Sequence, residues 1–109
     1  MPKSDSLQGS LDLLVLKILS RRPRLHGYAL MTAIQEISED VLRVEEGSLY
    51  PALYRLERRG FVEAEWGTSE LGRRAKLYRL TPKGREQLTE ETARWRRFSA
   101  GVSKLLLAR

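Results

Sequence analysis

Apolar residues recur along the chain first at helical spacing, then at every second position, then at helical spacing again. From Gly9 or Ser10 the run LDLLVLKIL reaches Ser20, with Leu11, Leu14, Val15 and Ile18 in one stripe. Leu13, Leu16 and Leu19 occupy much of the remaining circumference. A helix apolar nearly all round must be covered on two sides, which predicts a core on one side and a second subunit on the other. Arg21 to Arg24, with Pro23, breaks the run. A second helix is predicted over Tyr28 to Ile37, with Leu30, Ile34 and Ile37 facing inward beside Met31 and Ala33. An acidic connector, Ser38 to Glu46, leads to the most telling stretch, EEGSLYPALYRLERRG, from Glu45 to Gly60. Here Ser48 is in place to N-cap a third helix. Pro51 would fall in the first turn, where its missing N–H is harmless, and Gly60 follows Arg58 and Arg59 as a C′ glycine. Leu49, Ala52, Leu53 and Leu56 share the face that would hold this helix in place.

After Gly60 the period drops to two. Phe61, Val62, Ala64 and Trp66 read as a strand with Glu63 and Glu65 alternating, and residues 67–72 have turn chemistry. Ala75 to Leu80 forms the return strand of a β-hairpin. Thr81-Pro82 opens a last helix, with Thr as N-cap and Pro at N1, and it can run to about Leu106. Its stripe, Leu88, Thr92, Trp95, Ser99, Val102 and Leu106, flanked by Phe98 and Leu105, exceeds what its own domain can cover. The natural partner is the same helix, together with the first helix, of another copy. The predicted homodimer interface is thus Leu11, Leu14, Leu88, Trp95, Phe98, Val102, Leu105 and Leu106. The alternative is a last helix folded back over its own core. The predicted fold class is mainly α with a small β-hairpin. It is a winged helix-turn-helix of three helices and a two-stranded wing, followed by a long C-terminal dimerisation helix. The divisions are a flexible N-terminal arm over 1–9, a DNA-binding domain over 10–80 and the dimerisation helix over 81–109.

Charge sharpens the picture. The net charge is +6 over 109 residues, which suits an anionic partner and says nothing of fold. Between Gly72 and Arg85 stand Arg73, Arg74, Lys76, Arg79, Lys83 and Arg85 with no acid, whereas the segment before the third helix carries Glu36, Glu39, Asp40, Glu45 and Glu46. A basic cluster confined to one stretch is a better footprint of phosphate binding than the overall charge. The third helix adds Tyr50, Tyr54, Arg55 and Arg58 off its apolar side, a face suited to the major groove of double-stranded DNA. The plain alternatives are a solvated helix face and an edge strand blunted by charge.

The chain has no cysteine and one histidine. Thiol chemistry and cysteine zinc sites are excluded, and no metal or cofactor is expected. His26, before Gly27 at a turn, suits a cap or a phosphate contact better than catalysis. The pairs Glu45–Glu46 and Glu90–Glu91 point to different helix faces, Ser48 has no histidine beside it, and no phosphate-binding glycine loop is present. No enzyme is expected. The apolar runs fall short of the ~20 residues of a membrane helix, and the N-terminus lacks the apolar core of a signal peptide. A cytoplasmic protein with no membrane association is expected.

The segments LQGSLDLLVLKILS, LHGYAL, VEEGSLYPALYRLERRGFVEAEW and RRAKLYRLTPKGREQL together resemble the PadR family of bacterial winged-helix transcriptional regulators. The likeness covers roughly Leu7 to Trp95, and its G-S-L-Y-P-A-L block is specific to the family. With little chain after the fourth helix, the sequence resembles the short subfamily. The resemblance implies a homodimeric repressor on a roughly palindromic operator. It places DNA contacts at Ser48, Tyr50 and Pro51, at Tyr28, and at Arg73, Arg74 and Lys76 of the wing. Short members can bind flat aromatic compounds between subunits beside a tryptophan of the last helix, where Trp95 stands; the plainer and favoured reading is that Trp95 packs the dimer interface. Tyr54 stands where many relatives have His, and the wing tip reads SELGRR where close relatives often have two Asn. The operator is therefore not carried over. The rival readings are a sensor whose main task is to bind an aromatic effector, and a winged-helix module for an acidic protein partner.

Overall fold

The structure, a computed structural model, describes the backbone of residues 3–109 and the surroundings of side chains from Ser10 onward. Its elements are α1 (Lys3–Arg21), β1 (Leu25–His26), α2 (Gly27–Ile37), α3 (Glu46–Arg58), β2 (Val62–Thr68), β3 (Arg74–Leu80) and α4 (Pro82–Leu107). Three helices, a small antiparallel sheet and a long last helix make up the predicted fold class. Helix α1 begins earlier than Gly9 or Ser10. From Lys3 the expected arm over 1–9 is helical backbone, because a glycine inside a helix is unfavourable by only ~1 kcal/mol and nothing else interrupts it. Met1 and Pro2 of that arm lie outside the described residues.

Helix α1 is the centre of the core. It packs against α2, α3, α4 and β3, which buries Leu11, Val15, Leu16, Ile18 and Leu19 within a single chain. This corrects one expected interface residue. Leu11 is fully buried inside its own subunit and is not available to a second one, because the three helices and β3 surround α1 more completely than the stripe argument allowed. Leu14 and Leu88 are partly buried against the same core. Leu30, Ala33 and Ile34 of α2 complete it, with Leu49, Ala52, Leu53 and Leu56 of α3. Ile37, expected inside, is exposed: it is the last residue of α2, and the chain turns away from the core through Glu39 and Asp40, both at positive φ.

The sheet has the order β1-β3-β2, with Val62 opposite Leu80 and Thr68 opposite Arg74. The third strand, β1, was not anticipated. Leu25 pairs with Tyr78 and His26 with Leu77, so β3 is hydrogen-bonded on both sides.

Helices α3 and α4 are joined through residues 59–61 and 81. The Gly60 N–H donates to the Glu57 carbonyl and the Phe61 N–H to the Leu56 carbonyl, with Gly60 at φ +80. This is the 5→2 and 6→1 pair of a Schellman ending, and Phe61 and Leu56 are both buried in the core. Thr81 caps α4 by accepting from the Gly84 N–H at 3.0 Å. The Thr81 hydroxyl is also 2.7 Å from the Gly60 carbonyl oxygen, to which it donates. Beyond Thr92 nearly every residue of α4 is exposed, and the molecule extends 56 Å along its longest axis.

Candidate nucleic-acid interface

Helix α3 begins at Glu46, with Glu45 in the extended conformation of an N-cap and no side-chain cap bond. The expected cap, Ser48, is instead the third residue inside the helix, and its N–H donates to the Glu45 carbonyl at 3.0 Å. Pro51 accordingly lies in the second turn, not the first. Only one bond is lost, at the carbonyl of Gly47 four residues back, and Gly47 is exposed, so water can serve that carbonyl.

With its leucines buried, α3 turns Tyr50 and Tyr54 outward. The Arg58 guanidinium lies over the Tyr54 ring at 5.8 Å, so those two side chains form one exposed, positively charged aromatic unit. Arg55 takes a different direction. Its Nη2 is 3.3 Å from Asp12 Oδ1 of α1, so this expected groove residue is tied to the far side of the helix. The partner is 43 residues away in sequence, beyond the reach of any helical wheel. Burial pushes the Asp12 carboxyl above its usual value; Arg55 pulls it back, and the charge of Glu91 on α4 adds to the rise.

Tyr50 packs on the start of α2, where a Cβ on Gly27 would lie 2.5 Å from its hydroxyl oxygen. The expected cap role of His26 is present: its Nδ1 accepts from the Ala29 N–H at 3.2 Å. Tyr28 follows and is exposed. Tyr28 is thus next in sequence to the glycine on which Tyr50 packs.

The wing turns through Ser69 to Arg73. The Ser69 N–H donates to the Arg73 carbonyl at 2.7 Å, the Gly72 N–H donates to the Ser69 carbonyl at 2.9 Å, and Gly72 sits at φ +77. Its cations are not equivalent. Arg79 pairs with Glu63 at 2.7 Å, and Lys76 pairs with Glu57 of α3 at 3.3 Å. Arg73 and Arg74 form no ion pair among the described residues. Arg74 stacks over Trp66 with its guanidinium 4.6 Å from the ring centroid. Such a stack orders the side chain while leaving its N–H donors to the outside. Trp66 as the support of Arg74 was not foreseen, although the cross-strand diagonal of a hairpin places such residues within reach. Tyr78, behind the sheet, is buried, and burial raises its phenol above the usual value.

On α4, Trp95 and Phe98 are exposed, with ring centroids 6.0 Å apart and planes tilted by 39°. Val102, Leu105 and Leu106 continue this surface, the last two 79% exposed. Among the described residues no group of His, Cys, Asp and Glu could hold a metal ion, and no helix is long and apolar enough to cross a membrane.

Residues 15–90 match the transcriptional regulator PadR-like family. An uncharacterised protein of Lysinibacillus sphaericus is 30% identical over 95 residues, covering 87% of this chain and 86% of its own. A transcriptional regulator of Mycobacterium tuberculosis is 46% identical over 57 residues, 52% of each chain. Among solved structures, a PadR-like transcriptional regulator from Bacillus cereus superposes with a TM-score of 0.80 at 34% identity, over 96% of this chain and 99% of that one. A PadR family transcriptional regulator from Eggerthella lenta gives 0.79 at 34% identity, over 95% and 88%.

Proposed function

This chain belongs to the PadR-like family of transcriptional regulators, and from that premise we propose that it is a repressor that binds a palindromic operator as a homodimer. The family and the relatives with a stated role are transcriptional regulators, and such regulators act on DNA. The observation that carries the reading is the contrast between the two sides of α3: four apolar residues are locked in the core, while Tyr50, Tyr54 and Arg58 stand outside it. In this reading those three enter the major groove, with Ser48 and Pro51 in the first two turns of the helix beside them. Tyr28, Arg73 and Arg74 hold phosphates, and Lys76, shared with Glu57, assists them. Arg55 is a lesser contact, since it must leave Asp12 to reach DNA.

The exposed apolar end of α4 supports dimerisation. Trp95, Phe98, Val102, Leu105 and Leu106 would pair with α4 of the second copy, with the outer sides of Leu14 and Leu88 beside them. Two recognition helices related by a two-fold axis would meet half-sites one helical turn apart. A second reading, in which a flat aromatic effector binds at the dimer interface, is favoured by the exposed Trp95–Phe98 pair. A signal of that kind would release DNA by changing the angle between the two winged heads.

Selection of sites from a random duplex library tests the repressor reading. The expected product is a two-fold symmetric site bound at least ~10³ times more tightly than random DNA at physiological salt. Recovery of duplexes with no shared sequence would refute it. Quenching of Trp95 fluorescence by flat aromatic compounds, in a Trp66→Phe background, tests the effector reading.

A further inference from the structure

Gly27 has no conformational reason to be glycine. It is the first residue of α2 and does not occupy the left-handed region. Any residue can take that place in a helix whose cap is supplied by His26. What excludes a side chain is Tyr50. A Cβ on Gly27 would lie 2.5 Å from the Tyr50 hydroxyl oxygen, 2.8 Å from Cζ and 2.9 Å from Cε1. The whole hydroxyl end of the ring covers the Gly27 backbone, rather than one corner of it. Tyr50 is nevertheless 45% exposed, so one edge of the ring lies on α2 while the other is presented outward, near the exposed Tyr28.

We propose that Gly27 is the positioning residue for Tyr50 in sequence reading. The absence of a Cβ lets the phenol settle back against the first turn of α2, which fixes the depth and angle at which its outer edge meets DNA. The inference rests on the proposed role of Tyr50 in the major groove. The seat itself is rigid. His26 caps α2 through the Ala29 N–H, and the β1 pairing of Leu25 and His26 with β3 holds the residues just before it. A methyl group at Gly27 therefore moves the tyrosine rather than the helix. To bring the hydroxyl oxygen from 2.5 Å to the 3.4 Å at which ordinary contact begins, the end of the ring must swing outward by that difference. A reading group has to be held to within ~0.5 Å of its productive geometry, so a shift of this size spoils a base contact while leaving backbone contacts in place.

The test uses the full chain and the operator that the wild-type protein selects from random duplexes. Four proteins are compared: wild type, Gly27→Ala, Tyr50→Ala and the double variant. For each, affinity for operator and for random duplex is measured across a salt series, with thermal unfolding alongside. Gly27→Ala is expected to fold with unchanged or slightly raised stability, since alanine favours a helix. It is expected to keep the wild-type salt slope and to lose about tenfold in the operator-to-random ratio, the scale of one damaged base contact. In the Tyr50→Ala background the same change is expected to have no further effect, because the group it displaces is gone. If Tyr50→Ala keeps the wild-type ratio, the groove role of Tyr50 is wrong and the inference falls with it. If Tyr50→Ala loses the ratio but Gly27→Ala does not, the inference alone is overturned. A Gly27→Ala protein that does not fold also overturns it, since the ring would then be fixed packing rather than a group set by its seat.

Discussion

Replacing Gly84 by alanine forces open the joint between α3 and α4. Gly84 is the third residue of α4 and is buried. A Cβ there would overlap the Phe61 carbonyl oxygen and stand 2.7 Å from Leu80 Cδ1. The leucine tip can turn aside, but the carbonyl cannot. It accepts from the Thr81 N–H at 3.1 Å, and the neighbouring Gly60 carbonyl accepts from the Thr81 hydroxyl at 2.7 Å. Making room means lifting the first turn of α4 off Phe61, which strains both of those bonds and the Lys83 Nζ bond to the Arg59 carbonyl at 2.9 Å. Two neutral hydrogen bonds contribute about 1 kcal/mol each, and overpacking adds ~1–3 kcal/mol. Against this stands up to ~1 kcal/mol of better helix propensity. The net loss is ~2–4 kcal/mol, or roughly 10–25 °C in Tm for a domain of this size. Gly101 of the same helix is the control, since nothing lies within 4 Å of a Cβ built there. Gly101→Ala should raise stability by ~0.5–1 kcal/mol. Thermal unfolding followed by circular dichroism, at equal protein concentration, reads both. A Gly84→Ala protein as stable as wild type would refute the claim that this joint is close-packed and rigid.

Two further outcomes follow from exposure and burial. Leu106→Ala removes three carbons at ~0.8 kcal/mol each from a residue that is 79% exposed in the single chain. It occurs twice in a symmetric dimer, so dimerisation should weaken by at least tenfold (~1.4 kcal/mol) in sedimentation equilibrium; an unchanged dissociation constant would exclude this surface. Asp12 titrates against burial: its folded-state value is raised, so between the ordinary and the raised values the folded chain holds a proton that the unfolded chain has shed. The stability of wild type relative to Asp12→Asn should therefore fall as pH rises through that window. A relative stability that rises with pH would mean that the pair with Arg55 outweighs burial.

Signals closed within a few residues were legible in the sequence. The end of α3 at Gly60 and the start of α4 at Thr81-Pro82 are such signals, as is the change of period that marks β2 and β3. The start of α3 was not legible. Ser48 and Pro51 are good local cues for a helix beginning there, but the helix opens at Glu46 with no side-chain cap, and the carbonyl that Pro51 leaves unpaired belongs to the exposed Gly47. Strand β1 is two residues long, too short for any period to register. Leu11 shows another limit: an apolar stripe says that a surface is covered, not whether the cover comes from the same chain. At the candidate site, the wheel separated the buried face of α3 from the rest but could not foresee that Asp12 draws Arg55 aside or that Trp66 lies beneath Arg74. Both depend on neighbours brought in by the fold. The glycine in LHGYAL was visible, but the reason for it lay in a tyrosine 23 residues further on.

The clamped beginning of α4 has a consequence for aim. At ~1.5 Å per residue its 26 residues make an arm of about 39 Å, rooted at Thr81 and free along its outer half. A tilt of ~10° at the root carries the far end by about 7 Å. Run backwards, the same lever is forgiving: a misfit of an ångström where two arms meet near Leu106 turns each head by little more than a degree. In the proposed dimer, leucine packing of ordinary accuracy at the tips would be enough to point two recognition helices at neighbouring turns of a duplex. A given displacement redirects them furthest near the root, where α4 lies against α1.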